Sequence, residues 1–344
     1  MAEWLLYGAN GYTGRLAAQR ALERGLRPVL AGRNGEALAR LAAELGAGLE
    51  YRVLSLDDPA ALRAALEGMT AVLHCAGPFV RTSPPMAQAC LETRTHYLDI
   101  TGEVPVFEAL RRSDGEAKAA GVMLLPGVGF DVVPSDCLAA HLKAQLPSAT
   151  HLTLAFRTGF FSGGTLATAL EHLGQGTLTR RDGELVPAPL GLSRTLDLGD
   201  GPTPLRPLTW GDLVTAFHST GIPNIEVYTS FGGLMGLSGV IEKLLRIPGL
   251  RPWVQRRVQR MGGPDAARRA REGSRLWGEV KDGAGNVRAA RLQAPEAYTL
   301  TALTAVAAIE HVLRGKAPAG FQTPSTAFGA DFILEIPGVE RTDA

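Results

Sequence analysis

The sequence has few of the features that mark secreted, membrane-spanning or nucleic-acid-binding proteins. Its three cysteines, Cys75, Cys90 and Cys137, lie far apart and form no C-x-x-C pair, which favours a reducing compartment over a disulfide framework. No stretch reaches the roughly 18 consecutive apolar residues of a membrane span. The chain opens on an apolar strand without a basic leader, so no secretory signal is expected. The net charge is only +1, whereas a nucleic-acid-binding surface normally brings a strong basic excess. We therefore expect a cytoplasmic protein that binds no nucleic acid.

Signatures of several kinds of catalytic site are also missing. The sequence contains no G-K-[ST] phosphate loop, no H-E-x-x-H zinc motif and no G-x-S-x-G nucleophile elbow. The seven histidines are scattered, and no metal site is predicted. No tyrosine is followed four residues later by a lysine, which disfavours the mechanism of short-chain dehydrogenases.

The most informative segment that is present is a glycine-rich turn near the N-terminus. It reads Gly-Ala-Asn-Gly-Tyr-Thr-Gly over residues 8–14, after the apolar run at 4–7 and before a helical stretch. Glycines allow a tight turn and close approach of a pyrophosphate, and a helix N-terminus attracts an anion. The spacing departs from the strict G-x-G-x-x-G, so an ordinary turn is the alternative. The predicted pyrophosphate ligands are Gly8, Asn10, Gly11, Tyr12, Thr13 and Gly14.

The first 135 residues alternate between apolar runs and helical stretches. After the first strand, further strands are predicted at 28–31, 51–56, 70–75, 97–100 and 122–125. This alternation predicts an α/β fold of the Rossmann type, with a doubly wound parallel sheet. Beyond about Asp136 the pattern becomes that of an α+β domain. It predicts strands at 152–156, 215–218 and 225–229, a hairpin from 275–280 and 287–292, and a last helix over 298–314.

Residues that follow the second, third and fourth strands indicate which nucleotide binds. In a dinucleotide fold an acid after the second strand binds the ribose 2′-hydroxyl, whereas an arginine accommodates a 2′-phosphate. Arg33 stands there with no carboxylate at positions 34 or 35, so NADP is favoured over NAD, with a solvated arginine as the alternative. Asp57 either bonds the adenine edge or caps a helix. The fourth strand ends in a turn that either faces the cofactor crevice or is only structural, namely Ala76, Gly77, Pro78 and Phe79.

Carboxylates follow the fifth and sixth predicted strands. Asp99, Thr101 and Glu103 come after one strand, and Asp131 comes after the other. Because the carboxyl ends of parallel strands face one cleft, carboxylates there can act as proton donors. The predicted catalytic residues are Asp99, Thr101 and Asp131, although Asp99 equally suits a role in orienting backbone amides. A nicotinamide carries its own hydride, so no dedicated base motif is required.

An apolar segment with a basic continuation occupies residues 231–260. Leucine, isoleucine, valine and methionine recur up to Leu250, and arginines follow from Arg251. Such a segment suits the entrance of a lipidic substrate or contact with an anionic membrane surface. A core or dimer contact with a solvated basic face is the alternative.

Several of these motifs together resemble the saccharopine dehydrogenase-like family, in the branch that includes the trans-acting enoyl reductases. In the first domain they are Gly8-Ala-Asn-Gly-Tyr-Thr-Gly14, Gly32-Arg33, His74-Cys-Ala-Gly-Pro-Phe79, Tyr97-Leu-Asp-Ile-Thr-Gly-Glu103 and Gly127-Val-Gly-Phe-Asp-Val-Val-Pro-Ser-Asp136. Later ones are Ser162-Gly-Gly-Thr165, Trp210-Gly-Asp212, Ser219-Thr-Gly-Ile-Pro-Asn224, Pro295-Glu-Ala-Tyr-Thr-Leu-Thr301 and Thr323-Pro-Ser-Thr-Ala-Phe-Gly329. The resemblance covers nearly the whole chain.

The resemblance implies three parts and an activity. The three parts are a dinucleotide-binding domain at residues 1–135, an inserted α+β domain for substrate binding and dimerisation at 136–297, and a C-terminal segment at 298–344 that packs on the first domain. It also implies an NAD(P)-dependent oxidoreductase, often a homodimer, acting on a small molecule with a C=C or C=N bond. A saccharopine-type amino-acid dehydrogenase needs arginines for several carboxylates, and those available are Arg157, Arg180, Arg181 and Arg206. A non-catalytic NADP sensor is the alternative from another functional class.

Overall fold

A computed structural model describes residues 3–46, 48–159, 176–189, 191–230 and 263–344. The apolar and basic segment predicted at 231–260 lies outside these ranges, as does the motif at 162–165. No helix in the described ranges is long and apolar enough to cross a membrane.

The first sheet begins at the N-terminus and is built from strands that alternate with helices. Its strands are β1 (Trp4–Tyr7), β2 (Val29–Gly32), β3 (Tyr51–Val53), β4 (Ala71–His74), β5 (His96–Asp99) and β6 (Met123–Leu125). The helices between them are α1 (Tyr12–Glu23), α2 (Gly35–Leu45), α3 (Pro59–Leu66), α4 (Phe79–Thr93), α5 (Val104–Arg112) and α6 (Asp114–Ala120). The strands pair in parallel in the order β6-β5-β4-β1-β2-β3. The predicted Rossmann-type sheet is confirmed.

Helices cover this sheet on both faces, which explains its continuous apolar strands. Every residue of β1, β2 and β4 is buried. Successive side chains of a strand point to opposite faces, so Leu6 and Leu73 pack in one hydrophobic cluster while Leu5 and Val72 pack in the other. The carboxyl ends of the strands therefore form one edge between two helical layers.

The second sheet follows a connecting helix, α7 (Val133–Gln145). Its strands are β7 (Ala149–Arg157), β8 (Leu178–Arg181), β9 (Glu184–Pro187), β10 (Arg194–Asp197), β11 (Pro202–Pro207), β12 (Asn224–Thr229), β13 (Gly273–Asp282) and β14 (Val287–Pro295). The helices are α8 (Asp212–Thr220) and α9 (Ala266–Arg271). The sheet is mixed, with order β10-β11-β12-β7-β13-β14, and α7 packs against α8, β13 and β14. The predicted α+β character is confirmed.

The strand predicted at 215–218 is wrong, because these residues lie in α8. Leu213, Ala216 and Thr220 are buried at helical spacing, and Gly221 ends the helix in the left-handed region with φ of 66°. Thr215 and Phe217 have high strand propensity, but packing of the helix face against α7 outweighs it.

The chain then returns to the first sheet. Its elements are α10 (Ala297–Leu313), β15 (Gly320–Phe321), α11 (Pro324–Phe328) and β16 (Glu340–Asp343). α10 packs on α1, and β15 pairs in parallel with β6. β16 instead pairs with β14 of the second sheet. The domain limits at residues 135 and 297 stay a prediction, because this last part of the chain contributes a strand to each sheet.

Candidate active site

The glycine turn joins β1 to α1 at the carboxyl end of β1. Gly8 has φ of 79°, and its N–H donates to Ala31 O at 2.8 Å. A Cβ on Gly14 would collide with Gly8 O, so only glycine lets α1 start this close to the turn. α1 has no side-chain cap and no acidic residue in its first turn. This helix N-terminus fits a dinucleotide pyrophosphate, because its backbone N–H groups have no competing anion.

The polar residues of the turn have different surroundings. Asn10 is exposed, and its Oδ1 lies beside Gly32, where a Cβ would be 3.1 Å away. Thr13 is half-buried in the first turn of α1. The Tyr12 hydroxyl donates to Pro264 O at 2.5 Å, so its side chain turns toward the second-sheet domain. The predicted contact of Tyr12 with a pyrophosphate would therefore come from its backbone N–H.

Arg33 and Asp57 lie at the same edge, after β2 and β3. Both are exposed, and the charges of both act on the pKa of Tyr7, which burial raises. Asn34 caps α2 by accepting from Ala37 N at 3.0 Å. Asp58 caps α3 by accepting from Ala61 N at 3.0 Å. Because neighbouring residues cap both helices, Arg33 and Asp57 do not act as their caps; their contacts with a nucleotide stay a prediction.

Asp99 holds together the loops that follow β5 and β6. Its side chain is fully buried, and Oδ1 accepts from Thr101 N and from Gly127 N at 2.9 Å each. Oδ2 accepts from Tyr97 Oη at 2.6 Å. Burial raises the pKa of Asp99 to about 6, although these hydrogen bonds oppose the shift. These contacts agree with the alternative in which Asp99 orients backbone amides.

Glu103 connects this loop to the turn at residues 76–79. Its carboxylate oxygens accept from Phe79 N and Val80 N at 2.9 Å each, so it caps the start of α4 from another loop. Its own N–H donates to Thr101 Oγ1 at 3.1 Å. Thr101 is fully buried, so its hydroxyl positions Glu103. Of the turn itself, Ala76, Gly77 and Pro78 are partly or fully exposed, and Phe79 is buried.

We expect Glu103→Gln to loosen this turn and to lower the pKa of Asp131. A side-chain amide has one acceptor oxygen, so one N–H at the start of α4 loses its partner, at a cost of about 1–3 kcal/mol. The lost negative charge removes one of the causes that raise the Asp131 pKa. Thermal unfolding and a ¹³C NMR titration of the Asp131 carboxyl measure the two effects. Glu116→Gln, on the exposed side of α6, is the matched control. A melting temperature and a titration that both match wild type would contradict this role.

Asp131 differs from the other predicted catalytic residues. No described residue donates a hydrogen bond to its carboxylate, and the side chain is only half-buried. It lies against Gly102, where a Cβ would come within 2.6 Å of Oδ2. Burial raises its pKa to about 7, and the charge of Glu103 adds to the shift. An acid with a pKa near 7 is partly protonated at neutral pH, which suits a proton donor.

The turn that carries Asp131 is anchored by α10, a contact that the strand pattern did not predict. Thr301 Oγ1 accepts from Phe130 N at 3.0 Å, and Thr304 Oγ1 donates to Val128 O at 2.8 Å. Gly129 packs on Thr301 so closely that a Cβ would lie 2.8 Å from its methyl carbon. The available signal was the motif at 295–301, which contains Thr301.

A further acid near Asp131 was also missed as a site residue. Asp212, at the start of α8, is fully buried, and neither carboxylate oxygen has a hydrogen-bond partner among the described residues. Burial holds its pKa well above the usual range, and the charges of Asp136 and Asp131 raise it further. Asp212 therefore holds its proton more tightly than an exposed aspartate does. The motif Trp210-Gly-Asp212 was its sequence signal.

Most of the arginines considered for a substrate with several carboxylates already have partners within the protein. Arg157 pairs with Asp200, and Arg181 pairs with Glu226 at 3.7 Å. Arg180 is buried and donates to Leu213 O at 2.5 Å. Arg206 is exposed on β11. Three of the four side chains are therefore engaged by groups of the protein itself.

Comparison with known proteins gives both sequence and fold relatives. Residues 4–125 match the model of the saccharopine dehydrogenase NADP binding domain. A trans-acting enoyl reductase of Mycobacterium leprae (strain TN) is 31% identical over 183 residues, which cover 49% of this chain and 44% of that protein. A saccharopine dehydrogenase-like oxidoreductase of Bos taurus is 30% identical over 151 residues, which cover 38% of this chain and 35% of that protein. The chain thus spans less than half the length of these curated relatives.

A solved structure shares the whole fold. Apo saccharopine dehydrogenase (L-Glu forming) from Saccharomyces cerevisiae covers 100% of both chains with a TM-score of 0.70, at 12% sequence identity. At this identity the likeness shows the fold alone. Together the matches confirm the predicted resemblance to the saccharopine dehydrogenase-like family and its trans-acting enoyl reductases. Residues 4–125 form a nicotinamide nucleotide-binding domain, and the named relatives are oxidoreductases.

Proposed function

We propose that this chain is an NADP(H)-dependent reductase of a C=C bond in an apolar substrate. The observation that carries the proposal is the Asp131 carboxyl, which is half-buried, unpaired among the described residues and has a pKa of about 7. Reduction of a C=C bond needs a hydride at one carbon and a proton at the next. The bound nicotinamide supplies the hydride. Asp131 supplies the proton, breaking its O–H bond as the new C–H bond forms, and regains a proton from water.

Residues at the carboxyl ends of β1 to β4 each bind a different part of the nucleotide. The backbone N–H groups at the start of α1 hold the pyrophosphate, because that helix end is uncapped. Arg33 binds the 2′-phosphate, since its guanidinium is exposed after β2. Asp57 bonds the adenine edge, and the turn at 76–79, held by Glu103, lies on the nicotinamide side.

The surroundings of Asp131 favour an apolar substrate over an amino acid with several carboxylates. Phe130, next to it in sequence, packs on Phe156 at a ring-centroid distance of 5.9 Å, and Phe156 packs on Trp210 at 4.9 Å. These rings form an apolar cluster beside the turn that carries Asp131, which suits an apolar substrate. Of the four arginines considered for a polycarboxylate, Arg157 and Arg181 are paired with acids and Arg180 with backbone oxygens, so these three are less available as counterions for a saccharopine-type substrate. We therefore propose an enoyl compound with an apolar chain as the substrate class; the mycobacterial relative is named a trans-acting enoyl reductase.

Turnover distinguishes this proposal from an NADP sensor. An acid with a pKa near 7 at the cleft favours proton donation in a reductase and has no part in nucleotide binding by a sensor. We expect the purified protein to oxidise NADPH with long-chain enoyl thioesters or enones, and not with imine-forming pairs of amino acid and keto acid. Tight NADPH binding with no oxidation across that panel would favour the sensor.

We expect Arg33→Ala to weaken NADPH binding by about 10²-fold while changing the Kd for NADH by less than about threefold. A charge-assisted contact with the 2′-phosphate is worth about 2–3 kcal/mol, and NADH lacks that group. Isothermal titration with both nucleotides measures the ratio. Arg40→Ala, exposed on α2 and removing the same charge, is the control. Equal weakening of both nucleotides would show that Arg33 does not read the 2′-phosphate.

A further inference from the structure

The side chain of Tyr12 links the glycine turn to the segment that precedes β13. Its hydroxyl donates to Pro264 O at 2.5 Å and accepts from Arg269 Nη1 at 2.8 Å. Arg269 Nη1 also donates to Pro264 O at 2.7 Å, so the three groups form a closed network. Arg269 lies on α9, in the second-sheet domain, and is 257 residues from Tyr12 in sequence.

Packing around the Tyr12 ring holds it in one position. Gly263 lies so close that a Cβ there would overlap the ring. Tyr298, at the start of α10, packs edge-on against it at a centroid distance of 5.2 Å, and the Arg269 guanidinium lies 5.9 Å from the ring centroid. The side chain is therefore restrained by contacts on several sides as well as at its hydroxyl.

Because Tyr12 belongs to the glycine turn, these contacts also affect how the turn binds an anion. Tyr12 is the first residue of α1, directly after Gly11, and α1 has no side-chain cap of its own. Glycine-rich backbone has high conformational freedom, which must be lost when an anion binds. A side chain held at this position restricts the adjacent backbone before the ligand arrives, and such preorganisation lowers the cost of binding.

We propose that Arg269 and Pro264 position the glycine turn for the nucleotide pyrophosphate by way of Tyr12, so that the second-sheet domain sets nucleotide affinity. Arg269 is a positioning residue, because it acts through the Tyr12 hydroxyl. The inference rests on the proposed binding of NADP(H) at this turn.

Two ligands distinguish a specific effect on the glycine turn from a general loss of nucleotide binding. NADPH contains the pyrophosphate, whereas 2′-AMP carries the adenosine and the 2′-phosphate without any 5′-phosphate. We expect Tyr12→Phe and Arg269→Gln each to raise the Kd for NADPH about tenfold, the effect of losing one or two hydrogen bonds, with the Kd for 2′-AMP unchanged. Tyr12→Phe keeps the ring packing. The double variant should bind NADPH no more weakly than either single variant, because both act through one network.

Matched variants make the outcomes decisive. Arg271→Gln removes the same charge from an exposed position of α9, and we expect its Kd for NADPH to stay within about twofold of wild type. Arg269→Lys keeps one donor and should give an intermediate Kd. Equal weakening of NADPH and 2′-AMP, or full additivity in the double variant, would overturn the inference. If wild type binds NADPH and both variants bind it equally well, this inference alone fails. If wild type does not bind NADPH, the proposed function fails with it.

Discussion

Asp131→Asn is expected to lower turnover of an enoyl substrate by about 10²–10⁴-fold, the usual cost of removing a general acid. The amide has nearly the shape of the carboxylic acid but releases no proton at neutral pH. The Kd for NADPH should stay within about twofold, because the glycine turn and Arg33 bind the nucleotide elsewhere. Steady-state rates and isothermal titration measure the two quantities. An unchanged turnover number would rule out Asp131 as the proton donor.

The pH dependence of the same pair of proteins gives an independent check. The donor must be protonated, so the wild-type rate should fall as the pH rises through about 7, the pKa of Asp131. That inflection should vanish in Asp131→Asn. If it persists at the same pH, another group supplies the proton.

Thermal stability at two pH values tests the raised pKa of Asp131 without any substrate. The folded pKa of about 7 lies above the ordinary value of 3.8, so the folded state binds the proton more tightly than the unfolded state. Ionising Asp131 in the folded state therefore lowers the free energy of unfolding. This loss is absent below about pH 4, grows as the pH rises and is complete above about pH 7. Asp131→Asn should therefore raise the melting temperature at pH 8 and leave it nearly unchanged at pH 4. A variant less stable than wild type at pH 8 would contradict the raised pKa.

Asp99→Ala is expected to destabilise the protein by about 3–5 kcal/mol and to abolish turnover. In a fully buried site, the substitution leaves Thr101 N, Gly127 N and Tyr97 Oη without their acceptor. Part of this loss of unfolding free energy is offset, because the variant no longer has a buried carboxylate. Burial of that carboxylate is unfavourable, as the raised pKa of Asp99 indicates. Loss of Asp99 also releases the turn that carries Asp131. Urea unfolding and the rate assay measure the two effects.

Asp99→Asn is the matched control for this prediction. Its remaining side-chain oxygen accepts from both backbone N–H groups, and only the contact with Tyr97 Oη changes. We expect a loss of about 1 kcal/mol. If the Asn and Ala variants were equally unstable, the two backbone amides would not be the main role of Asp99.

Much of the first sheet could be predicted because its signals are local. The strand from Trp4 to Tyr7 has the same limits as its apolar run. Any other residue would be strained at Gly8, because of its positive φ, and a side chain at Gly14 would collide with the backbone of the turn. The prediction at 215–218 failed because strand propensity and helix packing compete there, and only the contact with α7 decides between them. The hairpin of β13 and β14 was predicted correctly because alternation continues through both strands.

The sequence by itself determined the first sheet and the glycine turn after β1, while the binding of a pyrophosphate there and the role of Arg33 stay predictions. These features depend on residues close together in the chain, whose periodic burial and backbone requirements leave a local pattern. The tertiary structure decided which of several carboxylates accept hydrogen bonds from backbone amides. Asp99, Glu103 and Asp131 follow similar strands, yet the first two accept from backbone amides up to 28 residues away, whereas no residue in the described part of the chain donates to Asp131. The link from Tyr12 to Arg269 likewise exists only in the folded chain, because a hydrogen bond depends on distance in space and leaves no period in the sequence.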